Sequence, residues 1–214
     1  VRNLGGSVYK FEDVYSFLMP DKTPPFWIEM AGISYCNGYY RVDREKSDVT
    51  VIEYVYKGTG TLHVGDASYE PGAGDIYILT ENSNHAYRSS ASDPWKKIFV
   101  NLKGSAVSPL IQAFRLHKKV LYSNCEEFSP IFEEIFALVK QNLPVEDTME
   151  RCGMLVFKLL SRLCQHEARD YQIPEEAQAL KRFIDNNYQI DLNMDEIAAS
   201  IYRSNDYTTK LFKR

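Results

Sequence analysis

The stretch Tyr54-Val55-Tyr56-Lys57-Gly58-Thr59-Gly60-Thr61-Leu62-His63-Val64-Gly65-Asp66-Ala67-Ser68-Tyr69-Glu70-Pro71-Gly72-Ala73-Gly74-Asp75-Ile76-Tyr77-Ile78-Leu79 decides the fold. Short apolar, aromatic and β-branched runs alternate here with turn residues. Thr50 to Tyr56 reads as a strand, Lys57-Gly58-Thr59-Gly60 as a turn, and Thr61 to Val64 as the next strand. Gly65-Asp66 is a second turn, after which Ala67 to Glu70 pairs back. Pro71 to Asp75 breaks the chain before Ile76 to Leu79. The same texture runs back to about Val8 and forward through His85-Ala86-Tyr87-Arg88 and Trp95 to Leu102. Short strands with turns at this spacing predict a sandwich or barrel. Ten of the fifteen tyrosines precede residue 90, so the β half is rich in side chains with an apolar body and a polar tip.

From Ser105 the period becomes helical. Phe128, Ile131, Phe132, Ile135, Phe136, Leu138 and Val139 recur at steps of three and four, with Glu126, Glu127, Glu133 and Glu134 between them. Pro144 breaks the chain. Met149, Cys152, Met154, Leu155, Phe157, Leu159, Leu160, Leu163 and Cys164 then form a helix that is apolar nearly all round. Such a helix is covered on more than one side, by the β half and by a second copy of the chain. Arg169 to Pro174 reads as a linker. Beyond it Ala177, Leu180, Phe183 and Ile184 form the stripe of a helix, and Asn193 with Glu196 predicts a capping box for the next one. The expected division is 1–104 for the barrel, 105–170 for the helical segment and 174–214 for the last helices.

The 214 residues carry 25 Lys+Arg against 29 Asp+Glu, a net charge of −4, which excludes non-specific nucleic-acid coating but not a local basic patch. A 44% apolar and 25% charged composition is that of an ordinary globular protein, not of a disordered or collagenous chain. The longest apolar run, around Leu155 to Leu163, is too short to span a bilayer, and the N-terminus lacks a signal-peptide core. A cytosolic location is therefore expected. Cys36, Cys125, Cys152 and Cys164 show no CxxC spacing and read as reduced structural thiols.

The string Leu192-Asn193-Met194-Asp195-Glu196-Ile197-Ala198-Ala199-Ser200-Ile201-Tyr202-Arg203-Ser204-Asn205-Asp206-Tyr207-Thr208-Thr209-Lys210-Leu211-Phe212-Lys213-Arg214 resembles the opening of an AraC-type DNA-binding domain. The resemblance implies a helix-turn-helix whose second helix, capped by Ser204, enters the major groove of double-stranded DNA. Asp206, Thr209 and Lys210 share one outward face of it, and Arg203, Lys213 and Arg214 are placed to touch phosphate. Thr208 departs from the family, standing where a larger apolar residue is usual. The family's domain has two such helix pairs and this string covers the first, so weak DNA binding by this chain alone is expected.

Tyr54 to Leu62, Pro71 to Leu79 and His85-Ala86-Tyr87 resemble the cupin-like effector-binding and dimerisation domain that precedes such helix pairs. The fold class implied is a mainly β cupin-like barrel, then a helical dimerisation segment, then a partial helix-turn-helix. The function implied is a ligand-responsive transcription regulator that forms a homodimer through the helices of 126–165. Asp43-Arg44 matches a dipeptide that contacts ligand in the family. His85 and Tyr87, then Trp95 and Lys97, match the following strands, and Tyr54 belongs to the matched glycine-turn strand. Trp27, after Pro24-Pro25-Phe26, is a candidate lid or a strand anchor. Arg suits hydroxyl pairs and carboxylates, and aromatic faces suit sugar rings, so a sugar or sugar acid is the expected effector. His63 and His85 lack the carboxylate partner and the HxH spacing of metal cupins, so no metal, no cofactor and no catalysis are expected. A metal-dependent cupin enzyme and a sensing scaffold that never touches DNA are the alternatives.

Overall fold

The computed structural model describes residues 11–18, 24–141, 143–170, 175–189 and 191–212. The chain divides into two compact units, 1–164 and 165–214. In the first, ten strands among the described residues form two antiparallel sheets. The larger has the order β1 (Phe11–Ser16), β2 (Trp27–Tyr35), β9 (Lys96–Lys103), β4 (Thr50–Lys57), β7 (Ile76–Leu79), β10 (Leu121–Tyr122). The smaller has the order β3 (Arg41–Arg44), β8 (His85–Ser89), β5 (Gly60–Val64), β6 (Ala67–Tyr69). The cupin-like barrel read from the glycine turns is what the first unit contains, followed by helices.

The larger sheet is buried on both faces. On one side Ile52, Tyr54, Ile76, Ile98, Val100 and Leu102 pack in one cluster with α1 (Val107–Ala113), α2 (Ser129–Lys140) and α3 (Val145–Asp170). On the other side Val51, Val55, Tyr77 and Leu79 meet Leu62, Tyr87 and Trp95 in a second cluster, the barrel interior. The period of two along a strand sorts them: Ile52 and Tyr54 face the helices, while Val51, Glu53 and Val55 face the interior.

The helical segment departs from expectation in one respect. Met149, Cys152, Leu155, Val156, Leu159, Leu160 and Leu163 are all buried within the unit's own core, so most of the all-round apolar helix is covered without a second chain. Among its described large apolar residues Met154 and Phe157 are the most exposed, with Val145 at the helix start less so. Phe157 meets Phe114 edge to face with ring centroids 5.4 Å apart.

The second unit holds α4 (Glu175–Asn187), α5 (Met194–Ser200) and α6 (Asn205–Phe212). The capping box is present. Asn193 Oδ1 accepts from the Glu196 N–H at 2.9 Å, and Glu196 Oε2 accepts from the Asn193 N–H at 3.1 Å. Asn193→Ala is expected to destabilise α5 by about 1 kcal/mol, read as lost helicity on thermal denaturation. Ser204 caps α6, its Oγ accepting from the Tyr207 N–H at 3.3 Å. Thr208 is fully buried, and its hydroxyl donates to the Ser204 carbonyl at 2.9 Å. A small hydroxylated residue is thereby satisfied at a position where an apolar one is usual.

Candidate functional site

The barrel interior holds a polar network inside an apolar shell. Glu53 projects inward from the middle of β4, with Tyr77 opposite it on β7 and Lys97 diagonal to it on β9. Lys97 Nζ lies 2.5 Å from Glu53 Oε2, with both side chains essentially inaccessible. The Tyr77 hydroxyl donates to Glu53 Oε2 at 2.6 Å, and the Tyr87 hydroxyl, from the opposite sheet, donates to Oε1 at 2.9 Å. Lys97 also donates to the Tyr77 oxygen at 3.2 Å. Burial, reinforced by the Glu53 carboxylate, pushes the Tyr77 and Tyr87 phenols well above the ordinary tyrosine value, which keeps them donors. The Lys97 ammonium lies 4.2 Å from the Tyr87 ring centroid, 4.5 Å from that of Tyr40 and 5.3 Å from that of Trp95. An ion pair this deep persists because each charge has several partners.

At one end of this network, β3 and β8 place Arg44 directly opposite His85. Arg44 Nη1 and His85 Nε2 are both buried, and neither has a hydrogen-bond partner among the described residues. The His85 ring lies parallel to Tyr87, 12° between planes and 6.1 Å between centroids. Its other nitrogen, Nδ1, is 2.9 Å from Ser83 Oγ, and that hydroxyl donates to the Thr80 carbonyl at 2.6 Å. Since the serine proton is committed, Nδ1 carries the imidazole hydrogen and Nε2 presents a lone pair. Burial first, and the Arg44 guanidinium second, lower the His85 pKa to about 4. A buried acceptor and a buried donor thus stand side by side, unsatisfied, above Tyr87. Unpaired buried polar atoms cost free energy, and a hydroxyl-bearing ligand would satisfy both.

The depressed His85 value makes a pH prediction. The folded protein holds His85 neutral while the unfolded chain protonates it near the ordinary histidine value of 6.5. Its contribution is therefore complete above about pH 6.5 and lost as pH falls toward about 4, by roughly 2–3 kcal/mol. Urea unfolding at about pH 7 and about pH 4.5 checks this: the loss should be smaller in His85→Gln by that amount, and equal losses would contradict it.

Of the residues expected to bind ligand, Arg44, His85, Tyr87, Trp95 and Lys97 share the barrel interior. Tyr54 and Trp27 do not. Tyr54 points to the helices, stacked on Phe132 at 5.8 Å. Trp27 is buried in the same helix-side cluster and donates from Nε1 to the Phe17 carbonyl at 3.4 Å. The segment before it is tied to the β9–α1 junction, where the Pro25 carbonyl accepts from the Ala106 N–H at 2.8 Å. The structure thus makes Trp27 a strand anchor, not a lid. Glu53, Tyr77 and Tyr40 were not read from the sequence. The available signal was a charge in mid-strand, with Val51 and Val55 two residues to either side. His63 is exposed on the outer face of β5, so it does not converge with His85. Among the described residues no three His, Cys, Asp or Glu side chains come together as ligands for an ion.

In the second unit Asp206 and Lys210 are exposed and Thr209 is half-buried on α6. Arg203 is held by Glu176, whose other oxygen accepts from the Tyr207 hydroxyl at 2.6 Å. Lys213 and Arg214 lie outside the described residues. Two grooves lie on the surface of the described residues. One of about 390 Å³ is lined by Thr59, Thr61, Glu70, Arg88 and Ser90. The other, about 260 Å³, is apolar and lies between Leu180, Ile184, Leu211 and Phe212. No helix among the described residues is long and apolar enough to cross a membrane.

The chain is 23% identical over 196 residues to the Msm operon regulatory protein of Streptococcus mutans, covering 87% of this chain and 70% of that protein. It is 24% identical over 173 residues to the lactose operon transcription activator of Staphylococcus xylosus, covering 77% and 62%. The chain thus spans about two thirds of the length of these relatives. Among solved structures, the AraC-like transcriptional activator CuxR aligns over 94% of this chain and 80% of its own, at 12% identity and a TM-score of 0.46. A family profile, AraC-like ligand binding domain, matches residues 28–155, more than half of the chain. The chain belongs to the family of AraC-like ligand-binding domains.

Proposed function

We propose that this chain is the effector-sensing part of a ligand-responsive transcription regulator, with the first helix-turn-helix of its DNA-binding domain attached. The observation that carries the sensing half is the unpartnered donor–acceptor pair of Arg44 Nη1 and His85 Nε2, buried against Tyr87. A hydroxyl both accepts and donates, and Tyr87 and Trp95 offer ring faces, so the effector belongs to the sugars and related small polyhydroxy molecules. The names of the two relatives, a regulator of one operon and an activator of the lactose operon, support that reading. The chain acts as a sensor and not as an enzyme, needs no metal or cofactor, and works in the cytosol.

Double-stranded DNA is the second partner. The capped pair α5–α6 presents Asp206, Thr209 and Lys210 on one face, with Arg203, Ser204, Lys213 and Arg214 near the backbone. A homodimer forms through the helices of 126–165, where Met154 and Phe157 supply the exposed apolar surface. The functional division remains 1–104, 105–170 and 174–214. Ligand in the barrel shifts the population between dimer arrangements, and it does so only by binding them unequally.

Thermal shift against a sugar panel tests the sensing half. A ligand at a hundredfold its dissociation constant adds roughly 2.7 kcal/mol, and Arg44→Gln and His85→Gln should abolish that gain. A ligand that stabilises the variants as well as the wild type overturns the site. A gel shift with the DNA flanking the chain's own gene, with and without that ligand, tests the coupling: unchanged affinity overturns it. Phe157→Glu should convert a dimer to a monomer in sedimentation without unfolding it, and an unaltered dimer contradicts the interface.

A further inference from the structure

We infer that Arg203 and Tyr207 form a clasp for one phosphate of duplex DNA, and that the Glu176 carboxylate occupies this clasp in the free chain. This rests on the reading of α5–α6 as the DNA-contacting pair. It adds a contact residue, Tyr207, and a resident competitor.

Three side chains of the second unit meet here. Arg203, in the turn between α5 and α6, donates from Nε at 3.0 Å and from Nη2 to one Glu176 oxygen, Oε1. The Tyr207 hydroxyl, from the first turn of α6, donates to the other oxygen, Oε2, at 2.6 Å. The guanidinium carbon lies 5.4 Å from the Tyr207 ring centroid, so cation and ring hold each other. A guanidinium and a phenol converging on two oxygens of one anion are a donor set suited to phosphate. Glu176, in the first turn of α4, presents a carboxylate in its place.

Position on the helix points to the backbone of DNA. At about 100° per residue, Tyr207 stands about 60° from Lys210 and about 100° from Asp206 around α6. It therefore flanks the face of Asp206, Thr209 and Lys210 that meets base edges, on the side where a phosphate strand runs. Thr208, the next residue, is buried and marks the inward side.

The contact is also open to exchange. The Arg203 and Glu176 side chains are 49% and 32% exposed. A pair this open to water holds weakly, whereas a phosphate entering the clasp also releases counterions condensed on the duplex. The swap preserves the donors' hydrogen bonds and returns Glu176 to water. A tie that merely fastens α4 to α6 makes the opposite prediction for Glu176.

Fluorescence anisotropy of the whole chain with a mixed-sequence duplex of about 40 bp, from about 20 to about 200 mM salt, tests this. Glu176→Gln should bind about threefold tighter than the wild type. Arg203→Gln and Tyr207→Phe should bind more weakly, and Arg203→Gln should lower the salt slope by about one. Tyr207→Phe keeps the ring and removes only the donor. In the Arg203→Gln background, Glu176→Gln should change affinity by less than about 1.5-fold. Asp185→Asn removes another carboxylate of α4, paired with Lys181 at 3.2 Å, and should leave affinity unaltered. An equal gain from Asp185→Asn overturns the clasp, because loss of negative charge alone would explain both. Weaker or unchanged binding by Glu176→Gln also overturns it, and leaves the DNA reading standing. The Arg203 Nε–H resonance should shift with the duplex and not with inorganic phosphate at equal ionic strength; an equal shift with phosphate overturns DNA as the occupant. No duplex binding by the wild type or Glu176→Gln at the lowest salt overturns both the clasp and the DNA reading.

Discussion

Replacing Glu53 with alanine will cost about 3–5 kcal/mol of stability, the largest loss expected from any single change to the polar interior. The variant leaves the Lys97 ammonium fully buried with the Tyr77 oxygen as its remaining close acceptor. It also strips Tyr77 and Tyr87 of the carboxylate that accepts their hydroxyls. Lys97→Met should cost less, since the carboxylate keeps both phenol donors and can take up a proton. The double variant Glu53→Gln, Lys97→Met removes both charges at similar volume, retains an amide oxygen for a tyrosine, and should fall within about 1 kcal/mol of the wild type. Urea unfolding of the wild type, Glu53→Gln, Lys97→Met and the double variant forms a complete cycle, with Glu53→Ala measured beside it. A Glu53→Ala cost below about 1 kcal/mol would mean that the pair is solvated and not enclosed by the apolar shell of the barrel interior.

Gly60→Ala is expected to be nearly as damaging, about 3 kcal/mol or more, for a steric reason. A Cβ at Gly60 would stand 2.2 Å from Trp95 Cζ2 and 2.4 Å from the Arg88 carbonyl oxygen. Neither neighbour can yield easily. Trp95 is buried, its Nε1 donates to the Pro71 carbonyl at 3.0 Å, and its backbone N–H is bound to Ser89 Oγ at 2.9 Å. The Arg88 carbonyl belongs to β8, whose residues Arg88 and Ser89 pair with Thr61 and Gly60 of β5. Displacing Trp95 disturbs Tyr87 and Tyr77, whose rings lie 6.4 Å from it, so ligand response should fall together with stability. Thermal denaturation and the same ligand titration read both effects. A Gly60→Ala protein with an unchanged midpoint would show that the Trp95 wall is loose.

The same contacts explain what the sequence could reveal. The turn Lys57 to Gly60 and the break Pro71 to Asp75 were legible because glycine and proline restrict backbone geometry locally. Gly58 and Gly74 indeed sit at positive φ, 84° and 85°. The phase of β4 was not legible. Its first six residues are all buried, so no exposed polar row distinguishes the two faces, and Tyr54 looked as suitable for the interior as Glu53. A one-residue choice on such a strand moves every side chain to the other side of the sheet. The β10 strand escaped notice because two residues carry no pattern, and it is defined by pairing with β7. On β3 and β8, with half-exposed alternation, Arg44, His85 and Tyr87 were read together and do meet. The burial of Leu159 is a packing fact that a sequence period cannot supply, because an all-round apolar helix reads alike whether its own core or a second chain covers it.

The most direct measurement is a crystal structure of the chain with the tightest-binding sugar of the panel. Density bridging Arg44 Nη1 and His85 Nε2 over the Tyr87 ring, with the Glu53–Lys97 pair intact beneath it, is the expected result. A ligand seated in the Thr59–Arg88 groove outside the barrel, with both mouth nitrogens still unpaired, would contradict the account.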